Sequence, residues 1–450
     1  MAPSFAVHAR RGAVALACAV AVGAASAPVA NAAGADEAPS AAASSSAPAP
    51  GSQKPPRGLY GAKDPKFDGV WRQSLAFLAQ DAAGVTPATE AIDWLAGQQC
   101  ADGGFTPYRA DTKTPCDAKK GEFSDATGAA VQALTTVEGR GAEVAKGLDW
   151  LTRHQNADGG WGMNPGSPSD PNSTAVAIGA FAAADKDPGK VTAKGGKNPY
   201  DALRNFQLGC DAKQGERGAF GYLPDKSGKL SPNGLATADG ALAAQGRGFL
   251  VAPAKRSGAD PKPLACADGA KGEAAKAAGR QGTADAAAAY LTKALSAGDQ
   301  HLTSAMPGTE PQPDYGSTAD AVIALAAGGH KDAAQGPLKW LQASKSGALT
   351  WAKGDPGALA KLVLAAHAGG ADPRAFGGAD LVEQLNATGP TPAAVSSDGG
   401  GAKDGEDGKD NKDEKDDDGG GAGVWWVVGV GLVAGIGIGF LLSGRKKQRL

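Results

Sequence analysis

The feature that most constrains the fold of this chain is a repeat in its central part. Residues 92–105 and 148–161 share one order: an apolar segment with Asp-Trp-Leu, a Gln, and then Asp-Gly-Gly followed by an aromatic residue. A looser copy spans residues 203–220, and only the helical part returns at residues 289–291 and 339–342. A unit that recurs in this way cannot bury its apolar face alone, so neighbouring units must pack on one another.

Each unit predicts a pair of helices. The first helix is amphipathic and ends near a Gly, which tolerates the left-handed conformation of a helix C-terminus. The second is Ala-rich and begins at a polar cap; these helices are expected at residues 124–134, 172–184, 237–244, 317–327 and 357–368. Sustained strand alternation is nearly absent, so the sequence predicts an all-α domain of five or six helix pairs. Long loops and a weak first unit at residues 71–78 favour a closed ring over an open solenoid.

The repeats resemble the QW motifs of squalene and oxidosqualene cyclases. The wider superfamily includes protein prenyltransferase β-subunits, complement thioester domains and the helical domain of intrinsic factor and transcobalamin. The resemblance implies an α/α toroid over residues 58–386, in which the motif Gln bonds backbone beside a packed aromatic ring. It assigns that structural role to Gln99, Gly103, Phe105, Gln155, Gly159, Trp161, Gln214, Gly218 and Phe220.

The N-terminus predicts export. Arg10 and Arg11 precede an apolar run, and Ala30-Asn31-Ala32 matches a signal-peptidase site, so residues 1–32 are interpreted as a signal peptide. Residues 33–57 are rich in Ala, Ser and Pro and are expected to be disordered.

The C-terminus predicts a membrane anchor. Residues 387–423 form an acidic, Gly-rich linker, residues 424–443 carry no charge and are long enough to span a bilayer, and residues 444–450 are basic. By the positive-inside rule the protein is a single-pass cell-membrane protein with its domain outside and its C-terminus in the cytoplasm. Gly431, Gly435 and Gly439 form a stripe of small residues, which is typical of closely packed transmembrane helix pairs. A homodimer through this stripe is therefore one possible oligomeric state.

Charge and cysteine content narrow the partners. The net charge is −2, and no basic stripe with aromatic residues is present, so a nucleic-acid partner is not expected. Removing Cys18 with the signal peptide leaves four cysteines in an exported chain, which predicts two disulfides. Of the three pairings, Cys100–Cys116 and Cys210–Cys266 are favoured because each closes a loop after an outer helix.

The signatures of the catalytic relatives are missing. The chain has no Asp-x-Asp-Asp acid in the domain, no Asp/Cys/His zinc set and no Cys-Gly-Glu-Gln thioester motif, so no catalytic residue, metal or cofactor is predicted. Four acids near the starts of the second helices have two interpretations. They either cap these helices, which is favoured, or face one another as the carboxylates of a glycan-active enzyme; they are Asp125, Asp239, Asp320 and Asp355.

These observations predict a non-catalytic surface protein that binds a small organic ligand or a partner protein. The resemblance to the cobalamin carriers implies a corrinoid-like ligand at the mouth of the ring, although their β-rich second domain is absent here. The candidate ligand-binding residues are Tyr108, Phe123, Asp125, Trp161, Asn172, Tyr222, Asp239, Tyr315, Asp320 and Trp351. An extracytoplasmic enzyme of the terpenoid cyclase, prenyltransferase-like or glycan-active class is the alternative; it requires a deep cavity with a buried carboxyl of raised pKa. A third hypothesis is a scaffold that docks a membrane partner through residues 424–443.

Overall fold

The computed structural model describes residues 56–117, 121–253, 258–270, 276–277, 279–304 and 310–393. The predicted signal peptide, nearly all of the 33–57 segment, the greater part of the linker, the transmembrane segment and the basic tail lie outside the described residues. Within those residues, no helix is both long and apolar enough to cross a bilayer.

The regular secondary structure of the described residues is almost entirely helical, as the sequence predicts. In chain order the helices are α1 (Gly69–Ala82), α2 (Thr89–Gly97), α3 (Ser124–Leu134), α4 (Gly141–Arg153), α5 (Pro171–Ala183), α6 (Pro199–Asn205), α7 (Gly234–Ala244), α8 (Gly279–Ala297), α9 (Tyr315–Ala327), α10 (Lys331–Gln342), α11 (Ala348–Ala352), α12 (Pro356–Gly369) and α13 (Leu381–Asn386). One antiparallel pair of short strands, β1 (Leu302–Ser304) and β2 (Gln312–Asp314), precedes α9. The domain is all-α.

Six of these helices contact one another in a closed cycle. The order is α1, α3, α5, α7, α9 and α12, and α12 returns to contact α1. We call these six helices the inner ring. Between successive members the chain forms α2, α4, α6, α8 and α10, and α13 follows α12; each of these outer helices packs on a neighbouring inner helix. The sequence left five or six pairs open, and the described residues contain six.

Composition explains which helices lie inside. The middle and end of α7 (residues 236–244) are buried on every face, and Ala and Gly there let helices approach closely. At Gly128 of α3 the approach is so close that a methyl group would lie 2.8 Å from Val176 of α5. By contrast, α4 buries one stripe, Gly147, Leu148, Trp150 and Leu151, and exposes its charged face.

The repeated Gln and Gly residues fasten each unit to the next. The Gln99 amide donates to Gly103 O at 3.0 Å and to Glu143 O at 2.8 Å. Gly103 has a φ of 105°, and a Cβ there would lie 2.2 Å from Lys146 O. Only Gly fits this position, because the backbone is left-handed and the next outer helix touches it.

The second and third repeats use the same bonds with one change of residue. Gln155 donates to Gly159 O and Val191 O at 2.8 and 3.2 Å. In the third repeat the donor is Gln207, to Gly218 O at 3.1 Å and Thr283 O at 2.9 Å. The sequence prediction named Gln214 for this role, but Gln214 is exposed. The register differs because an extra loop separates the helix from the Gly.

A second fastening was not predicted. The fourth residue of four inner helices is Thr, and its Oγ1 accepts a backbone N–H from the segment that precedes the helix. The pairs are Thr127 with Phe105, Thr174 with Trp161, Thr237 with Phe220, and Thr318 with Leu302, at 2.9 to 3.1 Å. Each bond satisfies a buried donor that would otherwise be unpaired.

The two ends of the domain meet. Tyr60 is fully buried and packs against Gly389, and the Gly61 amide donates to Thr388 O at 2.8 Å. Gly58 repeats the motif geometry, with a φ of 94° and a Cβ position 2.4 Å from Glu90 O. The packed region extends past the predicted boundary at residue 386 to Ala393, whose amide donates to Thr86 O.

Both disulfides form as favoured from the sequence. Cys100 pairs with Cys116 and Cys210 with Cys266, each with a Cα–Cα distance of 5.6 Å. The Glu122 carboxylate lies within 4.8 Å of the first pair. Those sulfurs are bonded to each other, so they do not offer the thiolates that a metal would need.

Candidate functional site

The N-terminal ends of the inner helices carry a concentration of acids, of which some are caps. Asp170, Asn233, Asp314 and Asp355 each accept the backbone N–H of the third helical residue, at 2.8 to 3.1 Å. Asp355 also receives Lys63 Nζ at 2.7 Å. The capping interpretation therefore holds for Asp355 among the four predicted acids, and Asp170 and Asp314 are caps that the prediction did not single out.

Three other charged residues share one helical position and cap nothing. Asp239, Asp320 and Lys361 are each the sixth residue of their helices, α7, α9 and α12, which are consecutive in the inner ring. Lys361 Nζ donates to Asp320 Oδ2 in an ion pair of which the carboxyl is 7% exposed. Two buried carboxyls, Asp239 and Asp320, thus interact with one lysine.

Asp239 is the carboxyl that the described residues leave without a partner. It is 9% exposed, and no described residue hydrogen-bonds to it. Its charge interacts with Asp320 and Lys361 on one side and with Asp125 and Asp170 on the other. These groups belong to α9, α12, α3 and α5, so the Asp239 carboxyl faces the centre of the inner ring.

A second acid pair lies on α3 and α5. Asp170 accepts Ser173 N and Ser173 Oγ, both at 2.8 Å, whereas Asp125 Oδ1 is buried with no hydrogen-bond partner. Asn172 Oδ1, on the same first turn of α5 as Ser173, is likewise buried and unpaired. A further polar group near this pair is Tyr222, whose phenol interacts with both carboxyls.

Burial and mutual repulsion set the protonation of these acids. Burial, with the neighbouring Asp170, raises the pKa of Asp125 to about 7. Burial and Asp320 raise the pKa of Asp239 well above its ordinary value. Burial also raises the pKa of Asp320, despite its lysine. Burial opposes the charge of Lys361, but Asp320 outweighs it and the lysine pKa is raised. Burial and the two acids raise the pKa of Tyr222 to about 12.

The segment that follows α7 contacts other helices of the inner ring. Phe249 N donates to Gln132 Oε1 of α3 at 3.0 Å, and the Phe249 ring meets Trp71 of α1 edge-on at 5.6 Å. In the cycle of inner helices α1 and α7 are on opposite sides, so this segment crosses the ring. Farther on, Gly258 N donates to Gly329 O at 2.7 Å, just beyond α9. The acids lie near the N-terminal ends of the inner helices.

Aromatic residues border the acids at that end. Tyr315, the first residue of α9, lies 5.5 Å from Trp351 of α11 and 5.6 Å from Trp340, between ring centroids. The aromatic group and Lys361 both lie next to Gly316: a methyl group at this residue would be 3.9 Å from Trp351 Cζ2 and 4.0 Å from Lys361 Cδ. An open recess of about 270 Å³ is lined by Tyr222, Leu223, Asp225, Lys229, Ser231, Pro232 and Asn233.

The remaining predicted ligand-binding residues fall outside this arrangement or are enclosed by it. Trp161 is fully buried and its Nε1 donates to Leu151 O at 2.8 Å, so its predicted place on a ligand-binding wall is wrong. Tyr108 stacks on Trp94 at 6.5 Å, beside α2. Phe123, half-buried at the start of α3, packs against the apolar core.

Sequence reasoning missed Lys361 and Asp170. Lys361 had a signal, because it is the only Lys or Arg in α12, an otherwise apolar helix whose other titratable residue is His367. A cation there implies a buried acid. Asp170 precedes Pro171 and Ser173, an arrangement typical of a helix start. The pairing of either residue across the ring depends on the fold.

Comparison with known proteins gives little beyond this. No family model matches the chain, and no curated protein matches it. A crystal structure of a protein from Actinoplanes is similar over 70% of this chain and 95% of its own length, with a TM-score of 0.42 and 15% identity.

Proposed function

We propose that this chain is an exported α/α toroid that binds a small organic ligand at the N-terminal mouth of its inner ring. The single observation that carries the proposal is the unpartnered Asp239 carboxyl, buried and facing the ring centre beside the Asp320–Lys361 pair. A buried polar group without a partner costs stability, and it is retained where it has a use. Aromatic residues border this place.

The setting of the domain is part of the proposal. Two disulfides are in keeping with an oxidising compartment and hence with the predicted signal peptide. The membrane anchor at residues 424–443, the cytoplasmic basic tail and a dimer through Gly431, Gly435 and Gly439 remain predictions from the sequence. The corrinoid-like ligand is one candidate, for which the structure offers no residue-specific support.

The test is native mass spectrometry of the full chain, extracted in detergent from its own membranes without chelators. We expect a retained small molecule in the wild type and its loss in Lys361→Met, because the ion pair that positions Asp320 is then broken. The matched control is Lys353→Met, at an exposed lysine between α11 and α12. Equal retention by both variants would place the ligand elsewhere, and an empty wild-type protein would refute ligand capture by this chain alone.

A second candidate function is acid catalysis at the same mouth. It is favoured by the raised pKa values of Asp239 and Asp125, since a carboxyl that keeps its proton near neutral pH can donate it to a substrate. This is the property that the enzymatic alternative required. The discriminating experiment compares the molecules retained by wild type and by Asp239→Asn: an enzyme yields substrate in the variant and product in the wild type, whereas a binding protein yields one molecule in both.

A further inference from the structure

The charges at the mouth do not balance. Asp170 and Asp314 are occupied as helix caps, and Asp320 is occupied by Lys361. Among the described residues, Asp239 and Asp125 form no ion pair of their own, because the one lysine near Asp239 is held by Asp320 and no cation acts on Asp125. Repulsion among these acids is relieved only by protons or by an added positive charge.

We infer, on the basis of the proposed ligand site, that its ligand is an organic ammonium ion bound between Asp239 and Asp125. The two carboxyls approach the ring centre from α7 and α3, which α5 separates in the cycle, so a cation between them contacts two helices that are not neighbours. A neutral polyol would leave the repulsion among the acids in place. An ammonium group removes it and supplies the missing hydrogen-bond donors.

The spacing of the acids favours an organic cation over a metal ion. Calcium and magnesium need several oxygen ligands within a radius of about 2.0–2.6 Å. Among the described residues, three acid, His or Cys ligand atoms lie within 4.8 Å of one another at Cys100, Cys116 and Glu122, and nowhere in the inner ring. The acids at the mouth are thus too dispersed to enclose a bare ion, and a charge carried on a larger organic frame fits them better.

The border of the site has the matching chemistry. Trp351 and Tyr315 pack on each other next to the Lys361 stem, and Tyr222 lies beside Asp125 and Asp170. Aromatic faces attract ammonium groups, most strongly where water is excluded. A ligand that carries a methylated or primary amine can therefore place its charge on the acids and its apolar part on these rings.

The test uses full-length protein in detergent and two pairs of probes that differ in charge but not in shape. These are choline with 3,3-dimethylbutan-1-ol, and 1,4-diaminobutane with butane-1,4-diol. Calorimetric titration near pH 6.5 in two buffers of different ionisation enthalpy measures both affinity and proton exchange. We expect at least one amine to bind at least tenfold more tightly than its alcohol, with proton release as a carboxyl ionises.

Variants locate the effect. Asp239→Asn should weaken amine binding at least tenfold, and Asp125→Asn, which offers a second route should the first variant fold poorly, should do the same. Asp149→Asn changes an exposed acid on α4 and should bind as the wild type does. Equal binding of amines and alcohols, binding of calcium chloride alone with no amine binding, or amine binding that survives both substitutions would each overturn the inference.

The inference and the proposed function fail separately. If the molecule retained from native membranes is neutral or anionic, the ammonium inference is refuted while ligand capture stands. If the native protein is empty but choline or 1,4-diaminobutane binds through Asp239, the acids do recognise ammonium ions and tight capture in the cell is refuted instead.

Discussion

Replacing Asp125 by Asn should stabilise the domain at pH 8 and should stabilise it by less than half as much at pH 5. Burial and Asp170 raise the pKa of Asp125 from the ordinary 3.8 to about 7. Between those two values the folded state binds a proton that the unfolded state has released. Stability therefore falls as the pH rises through this window, and the full penalty is present above pH 7.

The size of the effect follows from the pKa. A rise of about 3 pH units corresponds to about 4 kcal/mol, at about 1.36 kcal/mol per unit. Relaxation of the neighbouring acids reduces this, and we expect Asp125→Asn to gain about 2–4 kcal/mol at pH 8. For a domain of this length the unfolding entropy makes each kcal/mol worth about 1.5 °C, so the melting temperature should rise by about 3–6 °C.

The assay is differential scanning calorimetry at pH 5 and pH 8, at one ionic strength. Asp149→Asn is the matched control, because this acid is exposed on α4 and should shift the melting temperature at neither pH. A loss of stability at both pH values would show that the Asp125 carboxylate accepts an essential hydrogen bond. Equal gains at both would show that charge is not the cause, and either result would refute the reasoning.

Three further predictions rest on other parts of the structure. Gly159→Ala should lower the free energy of unfolding, measured by thermal unfolding, by about 2–4 kcal/mol, because its Cβ would lie 2.3 Å from Asn198 O. Gly166 is also at positive φ but has no atom within 4 Å of its Cβ position, so Gly166→Ala should lower it by only about 1 kcal/mol. Lys361→Met should destabilise by about 3–5 kcal/mol at pH 8 and by less at pH 5, where protonated acids no longer need the cation; equal losses at both pH values would contradict this. Ser substitutions that remove the Cys210–Cys266 disulfide, with a sequence separation of 56, should lower the free energy of unfolding measured by calorimetry by about 4 kcal/mol. Removing Cys100–Cys116, with a separation of 16, should lower it by about 3 kcal/mol, and the opposite order would contradict the loop-entropy account.

Much of the scaffold could be predicted because its signals are local. Alanine content and polar caps located α3, α5, α7, α9 and α12, and loop closure after an outer helix identified the disulfide partners. The third motif Gln was misassigned to Gln214 because the prediction assumed the Gln-to-Gly spacing of the first two repeats. The bond is instead made by the glutamine that closely follows the outer helix, which is Gln207.

The site was less accessible to sequence reasoning because its geometry joins residues far apart in the chain. Asp239 and Asp320 were named as candidates, but capping was the favoured interpretation, and nothing local distinguishes a cap from a carboxyl one and a half turns into a helix. Trp161 was predicted to line the mouth because aromatic residues often do. Its motif position instead places it under α5, enclosed by the fastening that defines the repeat.

The inner helices divide their first turns between holding the fold and forming the site. The residue before the helix caps it in α5, α7, α9 and α12, and the fourth residue of α3, α5, α7 and α9 is the Thr that holds the preceding loop. The caps occupy backbone N–H groups at the start of these helices, so burial, mutual repulsion and the single Lys361 determine the charge of Asp239 and Asp320 at the sixth position. Their raised pKa values are the result. A site built this way can change its chemistry by substitution at the sixth position without disturbing the bonds that close the ring.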